Sequence, residues 1–327
     1  MKVVKQMDVP SFDEYNAFNM IEFDVKICSL LPSATEIVCF LGLERLLIGV
    51  THECDFPEFV KVLPHLTNNV INGSDWTSKE INTAVSKSLH NGSSIYNLDT
   101  DKLRELKPDI ILTQELCDVC AVSYGEVQNA VRVLNSDATI ISLEPTDLEG
   151  IFNSINQVAI LLNQQETSKI LIDELKARII KVQNIATKTS KNSRVLAVEW
   201  IDPLFIGGHW VPEMISLAGG IDILGVKGEP SKIYEWSEII NMDPEFVIFM
   251  PCGFDLQTTV EYVHKEKVLK LIENTSAARM DNLYAVDGSG YFNRPGPRIV
   301  DGVEILLQIL SQDSVKYPQH DGSWVKI

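Results

Sequence analysis

Short apolar runs alternate along the chain with segments of helical spacing, which is the pattern of an α/β fold. Lys26-Ile27-Cys28-Ser29-Leu30 reads as a strand that stops at Pro32, and Ser33 can cap a helix from Ala34 to about Leu41, with Gly42 just past its end. Leu46 to Val50 is a second strand, followed by the loop His52-Glu53-Cys54-Asp55-Phe56-Pro57. Ile110-Ile111-Leu112 is a third, Val122 to Leu134 has helical spacing, and Thr139 to Leu143 closes this half. The second half repeats the plan. Arg194 to Val198 is a strand leading into Glu199-Trp200; a helix that tolerates Pro212 in its first turn ends at Gly219-Gly220. Asp243-Pro244-Glu245 then introduces Phe246 to Phe249, echoing Lys107-Pro108-Asp109 before Ile110, so two similar lobes are expected.

Between the halves, Thr146-Asp147-Leu148-Glu149 has the form of a capping box and opens a helix through about Leu162. A second helical pattern runs from about Glu166 to Ile185, with Ile172, Leu175, Ile179, Val182 and Ile185 three or four apart and no Gly or Pro. It predicts a stiff strut of about 30 Å where a flexible linker would be rich in Gly and Ser. The chain thus divides into an extension (1–25), a first α/β lobe (26–145), connecting helices (146–190) and a second lobe (191–327), and the lobes should move by small angles.

At 327 residues with 45% apolar side chains, the chain can bury two cores without staples. Subtracting 45 Asp and Glu from 28 Lys and Arg gives −17, which disfavours nucleic acid and anionic bilayers as partners. No run approaches the length needed to span a membrane, and mean hydropathy is only +0.04. Residues 1–22 carry Asp8, Asp13, Glu14 and Glu22 with no apolar core, so no secretory signal is readable and a cytoplasmic location is expected. Six scattered cysteines do not make a secreted disulfide framework.

In open α/β sheets ligands bind beyond the carboxyl ends of the strands, and the segments there carry unusual chemistry. Cys117-Asp118-Val119-Cys120 supports three readings: metal ligands together with His52, Cys54 or His209, a thiol-disulfide pair before a helix, or small residues packing a turn. His209 follows Gly207-Gly208, where backbone can approach a ligand closely. It can ligate a metal centre, donate to a ligand amide, or serve as a hydrogen-bonded loop residue. His65, His90, His264 and His320 have no suggestive neighbours and are expected on the surface. Trp200, Trp210, Tyr291 and Phe292 fall near strand ends and suit a large flat ligand. Trp236 opens a helix and is expected to pack a lobe core, while Trp76 and Tyr96 lie in a long insertion between Pro64 and Leu98. Arg294 and Arg298 flank Pro295-Gly296-Pro297; each is suited to a ligand anion or to a carboxylate across the cleft, with Glu199 the obvious partner. No nucleophile elbow, phosphate loop, dinucleotide fingerprint or zinc-protease helix is present, so catalysis is not expected.

The segment Ser29 to Ile37, Leu106 to Ile111, the long central helix and Phe292-Asn293-Arg294-Pro295-Gly296-Pro297-Arg298 together resemble the helical-backbone substrate-binding proteins of cobalamin and iron-siderophore importers. The resemblance covers about Lys26 to Leu310. Thr51 to Asp55, Cys117 to Val122, Glu199-Trp200, Gly208 to Pro212 and Pro251-Cys252-Gly253-Phe254 look like a subfamily labelled cobalamin-binding. It implies two α/β lobes, a rigid helix between them and a cleft whose ligand-facing residues include Ser33, His52, Glu53, Cys54, Cys117, Cys120, Glu199, Trp200, His209, Trp210, Cys252, Tyr291, Phe292 and Arg294. The implied ligand is cobalamin, another corrinoid or a related metal chelate. The implied role is a monomeric carrier, scavenger or importer receptor, with Asp101 and Glu238 near the places where the family's docking carboxylates meet an ABC permease. The alternative is a metalloprotein or enzyme that binds a transition-metal ion through Cys117, Cys120, His52 and His209.

Overall fold

The computed structural model describes residues 25–69, 76–90, 96–114, 124–133, 137–189, 192–312 and 314–327. In the first lobe, β1 (Ile27–Ser29), α1 (Pro32–Phe40), β2 (Leu47–Val50), β3 (Thr67–Asn69), α2 (Ser78–His90), β4 (Tyr96–Leu98), α3 (Thr100–Leu106), β5 (Ile110–Thr113), α4 (Tyr124–Val133) and β6 (Thr139–Ser142) follow in order. Four of the strands make an all-parallel sheet of order β2-β1-β5-β6, and β3 and β4 pair as an antiparallel ribbon beside it. The side chains of β1 and β5 are buried on both faces. That is why these strands read as continuous apolar runs instead of alternating ones.

The connection is α5 (Leu148–Leu161) and α6 (Gln165–Thr189). The cap of α5 is Asp147, whose Oδ1 accepts the Gly150 N–H at 2.8 Å; Thr146 lies one residue outside. At 25 residues α6 is about 37 Å long, four residues beyond the expected C-terminus, and buries Leu175, Ile179, Val182 and Ala186.

The second lobe comprises β7 (Arg194–Trp200), β8 (Leu204–Ile206), α7 (Val211–Leu217), β9 (Ile221–Asp222), β10 (Ile233–Tyr234), α8 (Trp236–Met242), β11 (Phe246–Phe249), α9 (Leu256–Lys265), β12 (Leu283–Val286), α10 (Gly288–Tyr291), α11 (Ile299–Leu310) and β13 (Trp324–Lys326). Its sheet runs β10-β8-β7-β11-β12-β13, with β9 beside the start of β7. Only the β9-β7-β11-β12 portion is parallel; β8, β10 and β13 are antiparallel, so the lobes share a parallel centre and are not simple copies.

One continuous apolar cluster joins the lobes, taking Ile37 and Leu112 from the first, Ile155 and Val182 from the connectors, and Val195 and Ile305 from the second. Helix α11 is buried almost all round, including Glu304 and Gln308. The Arg178 guanidinium of α6 grips Glu304 through Nε at 3.0 Å and Nη2 at 2.8 Å, and also bonds Asp301. A spine fixed in this way resists bending because any rotation separates a buried charge from its partner. His320 belongs to the same knot: its Nε2 lies 2.7 Å from Glu304 Oε2 and the residue is 3% exposed, which corrects the expectation of a surface histidine. Among the described residues no helix is long and apolar enough to cross a membrane.

Candidate functional site

The carboxyl ends of β2, β11 and β12 open on a cavity of about 330 Å³. Glu53, Asp55 and Phe56 line it from the first lobe; Asp255, Asp287 and Arg294 line it from the second. A larger cavity of about 450 Å³ lies on one flank of the second lobe, between α7 and residues 220–227, and draws on no residue of the other lobe. The cavity between the lobes sits where a parallel sheet places its ligands.

Its floor is a pair of ion pairs that join the lobes. Arg298 donates from Nε and Nη2 to Glu36 at 2.9 and 2.6 Å, the forked geometry that fits a carboxylate best. Glu36 is 4% exposed on the inner face of α1, and burial pushes its carboxyl above the ordinary range, an effect that the hydrogen bonds of Arg298 and the charges of Arg298 and Arg294 only partly offset. The Arg298 guanidinium also lies 4.1 Å from the Phe56 ring centre and 5.5 Å from that of Tyr291. Arg294 bonds both oxygens of Asp55, the Nη2 contact being 3.2 Å, and its Nη2 donates to the Glu53 carbonyl at 3.1 Å. Burial works to raise Asp55, but the bonds and charge of Arg294 outweigh it and hold that carboxyl below the usual range. The expected partner of these arginines, Glu199, is elsewhere. It accepts from Ser231 and the Cys252 thiol, its backbone carbonyl accepts the Cys252 N–H at 3.2 Å, and burial raises its carboxyl.

Three carboxylates of the cavity pair with no Lys or Arg among the described residues. Asp255 and Asp287 cap α9 and α10, each accepting through Oδ1, from Thr258 at 2.8 Å and Gly290 at 2.7 Å. Their second oxygens accept no hydrogen bond from a described residue. Burial raises the Asp287 carboxyl. Glu53 Oε1 is 3.3 Å from His52 Nε2. The Thr67 hydroxyl gives its proton to Thr51 at 2.7 Å and so accepts from His52 Nδ1 at 2.7 Å.

At the other side of the cleft the insertion reaches across. The Trp200 indole donates to the Ser78 carbonyl at 3.1 Å, Ser78 N–H to Glu266 at 2.7 Å, and Tyr262 and Lys265 to the Trp76 carbonyl at 2.8 and 2.9 Å. Phe254 packs between the rings of Trp200 and Tyr262 beneath this strap.

Of the residues singled out in the sequence, Glu53, Arg294 and Arg298 line the cavity and Tyr291 lies against Arg298. Trp200 anchors the strap. Phe292, Trp210 and Cys54 belong to the core, at 0%, 6% and 2% exposure, so they support the walls instead of touching a ligand. The Trp210 indole donates to the Phe292 carbonyl at 2.7 Å, and Cys54 Sγ sits 3.1 Å from the Thr35 hydroxyl. Ser33 is also buried, and Trp236 packs on the second-lobe core as expected, its indole donating to Ile201. Gly208 makes room for the protein's own backbone: a Cβ there would lie 2.7 Å from the Pro230 carbonyl carbon. His209 is consequently a loop residue stacked on Trp210, bound through its backbone to Gly228 and Glu229.

Cys117 and Cys120 lie outside the described residues. His52 and His209 belong to different lobes and, among the described residues, share no cluster of potential ligands. Among the described residues the one such group is Asp301, Glu304 and His320, and the Arg178 guanidinium already fills the space between its carboxylates. Asp101 is exposed at the start of α3 and pairs with Arg104 at 2.5 Å; Glu238 is exposed in the capping box of α8.

Among the cavity residues to which the sequence assigns no role are Asp255, Asp287, Phe56 and Lys61. Two of them carried a readable signal, since Asp287 directly follows a buried strand and Asp255 precedes a helical pattern.

Known proteins share this architecture. The chain is 22% identical over 306 residues to an uncharacterized ABC transporter substrate-binding lipoprotein of Bacillus subtilis, covering 89% of this chain and 81% of the relative. It is 21% identical over 293 residues to a vitamin B12-binding protein of Vibrio cholerae, 87% of this chain and 88% of that one. The structure superposes on a periplasmic heme-binding protein of a Roseiflexus species with a TM-score of 0.66 at 21% identity, covering 89% of this chain and 99% of the other. With two α/β lobes on a helical spine, a cleft at the strand ends, and a match of residues 29–289 to the periplasmic binding protein family, the chain belongs to that family.

Proposed function

We propose that this protein is the ligand-capturing component of a metal-chelate uptake system, holding a corrinoid or a related chelate between its lobes. The observation that carries this reading is the cavity bounded by Phe56, Asp255, Asp287 and Arg294, which lies at the strand ends and draws its walls from both lobes. Relatives named for vitamin B12 and for heme support a chelate as the ligand. At about 330 Å³ the cavity is at the small end for organic ligands and would receive one edge of a macrocycle, the remainder projecting through the mouth. Phe56, 45% exposed, offers that edge an apolar face. An importer receptor would present Asp101 and Glu238, one on each lobe, to basic groups of a permease. A cytoplasmic carrier or scavenger would need neither. Fractionation of the source cells separates these roles: cytosolic recovery favours the carrier, and recovery outside the membrane favours the receptor.

Calorimetric titration with cyanocobalamin tests the ligand class. One-to-one binding, with quenching of Trp200 fluorescence, is expected. Absence of heat and of quenching up to high micromolar concentration would reject a corrinoid.

A further inference from the structure

The cations around the cavity are already spoken for, and this decides what charge a ligand can bring. Three basic residues line it. Arg298 is forked onto Glu36, Arg294 onto Asp55, and Lys61 bonds Glu58 at 2.7 Å. The arginine pairs are the costly ones to break, because pulling Arg298 away would take both hydrogen bonds from Glu36, buried at 4% exposure, and leave only Arg294, 3.6 Å away, to balance its charge. The stacking of Arg298 on Phe56 and Tyr291 fixes it further. By contrast, Asp255 and Asp287 each keep one oxygen with no described hydrogen-bond donor, and Glu53 adds a third acid from the first-lobe side of the cavity. The whole chain repels anions in the same sense, with a net charge of −17.

We infer, building on the cleft assignment above, that the site selects by charge: it takes a chelate whose rim offers N–H or O–H donors, such as carboxamides, and discriminates against one that presents carboxylates, with Asp255 and Asp287 as the residues that read the rim. A carboxamide N–H satisfies a carboxylate oxygen with a charge-assisted hydrogen bond. A carboxylate in the same place meets like charge from the exposed Asp255 and the half-buried Asp287. Arg294 is then a clamp between the lobes and not a ligand for the incoming anion.

The test uses two probes that differ by one charge. Cyanocobalamin and its monocarboxylic acid derivatives, in which one peripheral carboxamide is hydrolysed, are titrated into the intact protein by calorimetry, with hemin as a second carboxylate-bearing chelate. For at least one of the monocarboxylates, affinity at least tenfold below that of cyanocobalamin is expected. The gap should narrow at 0.5 M salt and shrink again in the Asp255→Asn, Asp287→Asn double variant, which retains side-chain oxygens for both caps. Equal or tighter binding of every monocarboxylate, or hemin binding more tightly than cyanocobalamin, overturns the charge rule while leaving the cleft assignment standing. No binding of either cyanocobalamin or hemin removes the cleft assignment itself, and this inference with it. Should the double variant fail to fold, the comparison of the two probes on the unaltered protein still decides.

Discussion

Arg298 of the second lobe and Glu36 of the first, 262 residues apart in sequence, meet in a forked ion pair beneath the cleft, at 2.6 and 2.9 Å. Arg298→Met should destabilise the protein by about 3 kcal/mol, because it takes both hydrogen bonds from a buried carboxylate and leaves only Arg294, 3.6 Å away, to balance its charge. Pairing it with Glu36→Met should recover much of that loss, since the cost comes from the poorly paired charge. Urea unfolding of the two variants checks this; equal losses in the single and the double variant would mean that packing, not charge, is what Arg298 supplies.

Acid should loosen the spine. The hydrogen bonds of His320 and Arg178 overcome burial and hold the Glu304 carboxyl down at about 2, against an ordinary 4.5. A carboxyl depressed on folding contributes stability that is complete above its unfolded pKa and lost as pH falls through the folded one. The drop from 4.5 to 2 should therefore remove on the order of 3 kcal/mol through this residue alone. Glu304→Gln should be less stable at pH 7 and show a shallower decline over that window. Unfolding free energies measured at several pH values read both effects.

Three thiols should be inert in the folded protein. Burial pushes Cys28, Cys39 and Cys54 up to about 12, so at pH 8 roughly one thiol in ten thousand is ionised. Iodoacetamide followed by peptide mass spectrometry should leave these three unmodified over hours and modify them within minutes in 6 M urea. Rapid labelling of Cys54 without denaturant would mean that the wall around Thr35 opens readily.

The strap over Trp200 should open locally without unfolding the lobes. Glu266→Ala with Tyr262→Phe removes the acceptor for Ser78 N–H and one donor to the Trp76 carbonyl. Each lost bond is worth about 1 kcal/mol net, so with about 2 kcal/mol gone hydrogen exchange in 76–86 should quicken by about thirtyfold. Protection in β11 should not change. Equal acceleration in both places would show that the strap is part of the global unfolding unit.

Much of this architecture can be read from residue order. Strand β11 starts and ends where the apolar run Phe246–Phe249 does, because a strand buried on both faces has no polar residues to blur its ends. The spine helix announces itself through Leu175, Ile179 and Val182, whose spacing is a local property. The site was less legible, since its floor depends on pairs such as Arg298 with Glu36 and Arg294 with Asp55, and no local signal says which acid a given arginine will meet. Glu199 looked the better partner only because it follows a strand. Aromatic residues misled for a related reason: Trp210 and Phe292 do follow strand ends, but a ring there can turn into the core as readily as into the cleft. His320 gave no warning of burial, because its partner Glu304 is an acid on an otherwise apolar helix.

A bound chelate should sit between the lobes at the ends of β2, β11 and β12. Crystals grown with cyanocobalamin and measured at the cobalt absorption edge locate the metal directly. The expected result is one anomalous peak in or at the mouth of the cavity bounded by Phe56, Asp255 and Asp287. A cobalt peak in the flank cavity beside Glu213 and Lys227, or on the outer surface of either lobe, would contradict it.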